Sequence, residues 1–354
     1  MTNSARPSPA SPASASPARP ANVAVIIPAF NSGSYLDLAL ASVAGQTVMP
    51  GAVLVADDCS TDDTADRARR WQDRLPLEVV RLDRNRGPGL ARHRAIQANS
   101  AGLLAMLDAD DFFLPDHLET MIAVYAAHPG LVSAQELAWS PAVGLAGPTG
   151  TRRFPRPSSQ LTALLRHNFV NFGFFSRELY EQVGGFRDKF CEDWDLWIRM
   201  VRAGATVTMA SHPTAVHRLR SDSRSFDAAR TAERGIGVLT AELAAAGSAA
   251  EAAAARSGLR ALRGKLSFYR ATQLAAQGRL RQARRTALSG LPAGSPRTAA
   301  ALLALLVAPG TAARLERATR AYRSPEGKHI SSQPASPEAA QPTSPGDAGT
   351  AGPG

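Results

Sequence analysis

The sequence predicts an α/β fold: a Rossmann-like mixed, mostly parallel sheet with helices on both faces, followed by a C-terminal α-helical extension. Three observations carry this expectation. Short β-branched apolar runs alternate with helix-patterned stretches through the first third of the chain, three of those runs end in polar or acidic residues, and from Ala228 the composition turns to Ala, Leu and Arg with few strand formers.

Residues 23–30, VAVIIPAF, form an apolar run of the kind that a strand covered on both faces requires. Asn31-Ser32-Gly33 is turn chemistry, and Leu36, Leu40 and Val43 then recur at helical spacing. A second run, AVLVADD at 52–58, precedes Ser60-Thr61-Asp62-Asp63 at a helix start, with Ala65, Ala68 and Trp71 on one face. A third run, LEVVRL at 77–82, leads through Asn85-Arg86-Gly87-Pro88-Gly89 into an Ala/Ile-patterned helix and then LLAMLDADD at 103–111. Consecutive strand–helix units give a sheet whose ligands bind at the carboxyl ends of its strands. Those ends carry Asn31, Asp57-Asp58 and Asp108-Ala109-Asp110-Asp111, so the chemistry is expected there.

The chain of 354 residues, with 44% apolar residues, has material for two domains. Residues 1–21 are nearly all Ser, Pro, Ala and Arg and contain no apolar run that would serve as a signal-peptide core, and 324–354 has a similar Pro/Ser/Gly/Ala character, so both are expected to be disordered tails. Cys59 and Cys191 lie far apart and lack metal-ligand spacing, which fits a reducing cytoplasm. The apolar run Ala299 to Ala308 is too short to span a bilayer. The net charge of +10 is concentrated: residues 22–227 hold 21 Lys+Arg against 23 Asp+Glu, whereas 228–323 hold 16 against 4. The expected organisation is a catalytic domain at 22–227 and a basic helical domain at 228–323.

If the strand continues through Asp108-Ala109-Asp110, the first and third side chains share a face and Asp111 points away. Two convergent carboxylates suit Mg²⁺ or Mn²⁺ when a diphosphate supplies further oxygens, but taken alone the motif reads equally well as an Asp-rich turn capping the next helix. A second acidic cluster, Glu192-Asp193-Trp194-Asp195, opens the amphipathic stretch LWIRMVRAG. A carboxylate there suits general-base work, or else caps a helix with Trp194 and Trp197 packed below. Between the two clusters, Phe174 and Phe175 read as a strand, and Ser176 caps a helix that ends at Gly184-Gly185-Phe186.

The ordered set VAVIIPAFN, VADDCSTDDT, NRGPGLARHRAI, LDADD and EDWDLWIRM resembles the inverting glycosyltransferases of family two, which have the GT-A fold. The resemblance covers roughly residues 22–225. It implies transfer of a sugar from a UDP-, GDP- or dTDP-linked donor to a glycan or lipid-linked acceptor. Pro28, Phe30 and Asn31 match the first-strand end that lines the base and ribose pocket. Asp57 and Asp58 match the paired acids, one of which contacts base or ribose, although a charge pair at a helix N-terminus is the alternative for both. Arg92 matches the arginine beside the nucleotide. Asp108 is implied at ribose or metal, Asp110 on the metal, and Asp193 as base with Glu192 second; the acceptor side is implied at Gly185, Phe186 and Trp194. A divalent cation, Mn²⁺ or Mg²⁺, is the implied cofactor.

The chain departs from the family pattern at several positions. Arg220 stands where a histidine is usual; arginine cannot ligate a metal but pairs with phosphate oxygens. His217 lies just upstream and offers an imidazole instead, although a lone histidine is more often structural. His93 and Ala95 replace the usual Asn and Gly, and Cys59 stands where Gly is common. Leu259, Leu262, Leu266 and Tyr269 predict a helix that breaks near Gln277-Gly278 and pairs with the next as a hairpin. The basic segment suits peripheral contact with anionic lipid at the inner face of the membrane, or a solvated helical face. It is poor in aromatics and carries no nucleic-acid motif, so no nucleic-acid partner is expected. The competing enzymatic reading, a nucleotidyltransferase, lacks a Gly-rich phosphate loop with its cation; a non-catalytic nucleotide binder is the other.

Overall fold

The structure, a computed structural model, describes residues 21–140, 144–149, 154–188, 191–219, 228–293 and 296–307. Strand β1 (Ala21–Ala29) leads into α1 (Gly33–Ala44), β2 (Pro50–Asp57), α2 (Thr64–Arg69), β3 (Leu77–Arg81), α3 (Pro88–Gln97) and β4 (Leu103–Met106). Next come β5 (Phe112–Phe113), α4 (His117–Ala127), β6 (Leu131–Ser140), β7 (Gly144–Thr149), α5 (Gln160–Leu164), β8 (Phe174–Ser176), α6 (Arg177–Gln182), α7 (Glu192–Arg202) and β9 (Val207–Arg218). The described chain closes with α8 (Ala228–Ala244), α9 (Ala249–Ala276), α10 (Leu280–Gly290) and α11 (Pro296–Val307).

The strands form one sheet in the order β3-β2-β1-β4-β8-β6-β9-β5, with β7 added against β6. From β3 to β4 every pairing is parallel, as the strand–helix alternation demands. Strand β8 enters antiparallel between β4 and β6, and β9 returns parallel to β6, so the sheet is mixed. The period of two along β1 divides the interior: Ala24 and Ile26 join Leu54, Leu104 and Met106 in one cluster, whereas Val23, Val25 and Ile27 join Val53, Val55, Leu36 and Leu40 in the other. Both faces of the central strands are covered, which is why the sequence there is apolar without alternation.

Two local expectations give way. The strand carrying the acids stops at Met106, and Asp111 N–H bonds to the Asp108 carbonyl across a turn, so the alternating-face argument does not apply beyond that point. Helix α2 starts at Thr64 and does not extend to Trp71.

The helical extension is continuous with the core of the sheet region over its first part. Val238 and Leu239 of α8 and Ala254 and Leu259 of α9 belong to the cluster that contains Trp194 and Trp197. Arg202 at the end of α7 reaches Glu242 at 2.6 Å and Glu251 at 3.3 Å, pinning both helices. The expected boundary at 227 lies outside the described residues, but the packing on either side of it is shared. Farther out, Ala271, Ala287, Leu302 and Leu305 make a separate small core for α9, α10 and α11. The chain turns at Gly278, where the break was expected. The terminal segments 1–20 and 308–354, expected to hold the disordered tails, lie outside the described residues.

Candidate active site

Because β2, β1 and β4 are parallel neighbours, their carboxyl ends share one edge. Asn31, just past β1, adopts φ 48°, a left-handed conformation that asparagine tolerates well. Its side-chain carbonyl accepts the Thr61 N–H at 2.8 Å, and its own N–H donates to Ser60 Oγ at 3.0 Å. Asp57 is fully buried, accepts the Ser60 N–H at 3.0 Å and meets Arg81 at 3.3 Å. Asp58 accepts the N–H groups of Arg86 and Gly87, each at 2.7 Å, which fastens the loop before α3. The two acids therefore brace the loops of this edge and do not decorate the start of α2. Pro28 is half-buried at the end of β1, and Phe30 is 46% exposed beside it. Cys59, where glycine is common in the resembled family, has φ 65°.

At the end of β4 the turn brings carboxylate oxygens of Asp108, Asp110 and Asp111 within 4.8 Å of one another. Asp111 thus joins the group that the alternation argument excluded it from. Its carboxylate is nonetheless engaged: it is buried, accepts the Arg218 N–H at 2.8 Å and meets His217 Nδ1 at 3.2 Å. Burial raises the Asp111 pKa to about 6, with the charges of Asp110 and Asp108 adding to the effect and His217 opposing it. For His217, burial acts to lower the pKa, but the hydrogen bond and charge of Asp111 outweigh it and hold the imidazole up at about 9. His217 is paired with Asp111, and Asp108 and Asp110 bring two further carboxylates to the same turn. Two carboxylates, one of them about half exposed, fit the donor set of Mg²⁺ or Mn²⁺ with a diphosphate completing the shell.

Facing this turn is the N-terminus of α7. Arg92 on α3 is buried and bridges the two regions, ion-paired to Asp108 on one side and to Glu192 Oε1 at 2.8 Å on the other. Burial pulls its pKa down, but Asp108, Glu192 and Asp193 more than restore it. The guanidinium lies 5.7 Å from the Phe186 ring centroid, a cation–π contact that supports it from below. Glu192 is thereby committed to Arg92. Asp193, the next residue, accepts from Asn168 Nδ2 at 3.2 Å. Its pKa rises to about 6, through burial first and the neighbouring Glu192 charge second. Such a carboxyl is ionised at neutral pH yet basic enough to take a proton.

A cavity of about 280 Å³ joins the two acidic clusters, with Asp108, Asp111, Asp193, Arg92, Trp197 and His217 on its wall, and Glu136 and Phe186 beside them. The wall is tight: a Cβ at Gly173 would come within 2.4 Å of the Trp197 indole. Of the residues expected on the acceptor side, Phe186 lines the cavity although it is only 4% exposed. Gly185 (φ 65°) packs against Tyr180 and His93 and gives its carbonyl to Arg199 at 2.7 Å. Trp194 does not face the cavity; it is 6% exposed, bonds to the Leu164 carbonyl at 2.8 Å and packs under α8. One helical turn on, Trp197 takes the cavity position. The helix-capping alternative for the cluster is not realised by a side chain, since Cys191 occupies the cap and Asp195 pairs with Arg199 at 2.8 Å. His93 bonds to the Tyr180 hydroxyl at 2.7 Å. Arg220 lies outside the described residues.

Asp111, Asn168, Glu136 and Trp197 were not singled out as site residues by the sequence. Asn168 is 25 residues from Asp193 and Glu136 is on β6; only the sheet order brings them here.

The mixed, mostly parallel sheet with helices packed on it is the GT-A fold. Two solved structures share it: S. aureus TarS 1–349 in complex with UDP-GlcNAc (TM-score 0.53, 19% identity, 85% of this chain and 89% of that one), and mannosyltransferase PcManGT from Pyrobaculum calidifontis in complex with GDP-Man and Mn²⁺ (TM-score 0.56, 22% identity, 87% and 86%). Residues 24–184 match Glycosyl transferase family 2. Among curated proteins, the succinoglycan biosynthesis protein ExoU of Rhizobium meliloti (strain 1021) is 41% identical over 105 residues, 29% of this chain and 30% of that protein. The putative teichuronic acid biosynthesis glycosyltransferase TuaG of Bacillus subtilis (strain 168) is 33% identical over 101 residues, 28% of this chain and 40% of that protein. The matched stretch thus spans well under half the length of either relative.

Proposed function

We propose that this chain transfers a sugar from a nucleotide-diphosphate donor to an acceptor hydroxyl with inversion at the anomeric carbon, in the synthesis of a polysaccharide or other cell-envelope glycan. The observation that carries the reading is the single cavity bounded by the Asp108–Asp111 turn on one side and Asp193 on the other. The family match and the relatives' roles in succinoglycan and teichuronic acid biosynthesis support it.

In this reading the nucleotide lies along the edge formed by Pro28, Phe30 and Asn31, over the loops braced by Asp57 and Asp58. Asp108 and Asp110 hold the divalent cation, which when bound supplies positive charge to the departing diphosphate. Arg92 keeps Asp108 and the α7 N-terminus at a fixed separation. Asp193, oriented by Asn168, takes the proton of the acceptor hydroxyl as its oxygen bonds to the anomeric carbon; the bond from that carbon to the diphosphate breaks on the opposite face, and the nucleoside diphosphate leaves. Glu192, held by Arg92, raises the basicity of Asp193 through its charge. The acceptor is a glycan or lipid-linked sugar, and the basic segment 228–323 offers peripheral contact with an anionic membrane; among the described residues no helix is long and apolar enough to cross one.

The reading is tested by nucleoside diphosphate release from a panel of UDP-, GDP- and dTDP-sugars with Mn²⁺, Mg²⁺ or chelator. Release by at least one donor that chelator abolishes is expected. Release indifferent to chelator would remove the cation from the account, and silence with every donor in the presence of a range of acceptors would remove the transfer reaction.

A further inference from the structure

A second cavity lies away from the catalytic edge. It measures about 660 Å³ and is formed between the distal part of α9, α10 and the turn that follows α10. Arg263 and Arg270 line it from α9 and Arg279 from the turn before α10, together with Ser267 and Thr286. Its described lining includes no Asp or Glu. Arg270 is paired with Glu233, but Arg263 and Arg279 have no ion-pair partner among the described residues, so the groove keeps an uncompensated positive charge. The same helix carries exposed Arg256 and Arg260 outside the groove, one and two turns before Arg263.

From these features we infer that the groove binds a phosphate ester: a phosphomonoester, phosphodiester or diphosphate group. Guanidinium groups present paired N–H donors that match two phosphate oxygens at once, and hydroxyls supply the shorter bonds between them. The volume falls in the range that small-molecule sites occupy, roughly 300–1,000 Å³. A position on α9 also gives the site a mechanical link to the catalytic body, because Leu259 of the same helix is part of the main core. At about 1.5 Å per residue, the groove begins and ends roughly 6–27 Å farther along the axis. A ligand held there is anchored to the helix that shares the main core with α7 and is ion-paired to it through Glu251. The inference rests on the helical region alone and not on the transfer chemistry.

The test is calorimetric titration of the full chain with inorganic pyrophosphate in chelator, together with co-sedimentation on phosphatidylcholine vesicles with and without phosphatidylglycerol. Three forms are compared: the unaltered chain, the groove variant Arg263→Gln/Arg279→Gln, and the control Arg256→Gln/Arg260→Gln, which removes the same charge from α9 outside the groove. All four arginines are exposed, so unchanged melting temperatures are expected. We expect the groove variant to weaken binding by about tenfold or more and the control by less than about twofold, since two charge-assisted contacts are lost only in the former. If phosphatidylglycerol-dependent co-sedimentation follows this pattern, the ligand is a lipid headgroup; if only pyrophosphate binding follows it, the ligand is a soluble phosphate ester. Equal weakening by both variants would reduce the effect to general charge and overturn the inference, as would the absence of binding to either probe.

Discussion

Replacing Asp193 by Asn is expected to make the protein more stable while silencing it. The side chain sits at the first turn of α7, beside Glu192 and under Arg92, with its pKa raised to about 6 by burial and by the Glu192 charge. A carboxyl that titrates near 6 when folded and near 3.8 when unfolded costs the ionised folded state about 3 kcal/mol. The amide keeps the shape and the contact with Asn168, and the attraction of the helix N-terminus for the carboxylate is already contained in that shift. The gain at about pH 8 is then about 3 kcal/mol, or roughly 6–12 °C in melting temperature. The sign follows from linkage. Below about 6 the folded wild-type chain binds the proton more tightly than the unfolded chain does, so wild-type stability rises as pH falls, and the gap to the variant closes by about pH 4. Thermal melts of both proteins across this range, in metal-free buffer, provide the assay. A variant less stable than wild type at high pH, or a gap that does not change with pH, would refute the claim that Asp193 is held ionised at a cost.

Asp110→Ala is expected to lower turnover by about a hundredfold or more and to weaken metal-dependent donor binding, read by titration with and without chelator. Arg92→Met leaves Asp108, Glu192 and Asp193 without their shared cation and should cost about 3–5 kcal/mol in denaturant titration, with partial recovery when Glu192→Gln is added. Gly173→Ala forces a methyl group into the Trp197 indole and should cost about 1–3 kcal/mol while lowering activity through the cavity wall. His117 is fully buried, stacked on Phe113 and bonded to Thr214, and burial lowers its pKa to about 3. Because the unfolded chain takes up that proton first, stability should fall by about 1.4 kcal/mol per pH unit below about 6.5, a slope that His117→Phe removes in acid-dependent melts.

The parallel half of the fold was legible because its strands are buried on both faces and are written as uninterrupted apolar runs, each followed by turn chemistry and a helical period. The carboxyl-edge acids were legible for the same reason, as polar residues abruptly ending such runs. What failed was finer geometry. The side-chain alternation of a strand was extended past Met106 into a turn, which misplaced Asp111; the turn is set by contacts to Arg218 and His217, more than a hundred residues away. Trp194 and Trp197 are equally suited by sequence to either face of α7. Which one reaches the cavity depends on the packing of α8 and α9, elements that compositional reading set apart as a separate domain. Asn168 and Glu136 carried no local signal, because the antiparallel insertion of β8 and the return of β9 bring them to the site.

The central claim is an inverting transfer in which Asp193 is the base. Once the donor is known, proton NMR of the reaction catalysed by the wild-type chain and by Asp193→Asn, with donor affinity measured on the same samples, tests it most directly. The account predicts a product whose anomeric configuration is opposite to the donor's, and a variant that binds donor within about threefold of wild type while turning over more than about a hundredfold more slowly. Retention of configuration, or a variant that keeps near wild-type turnover, would contradict it.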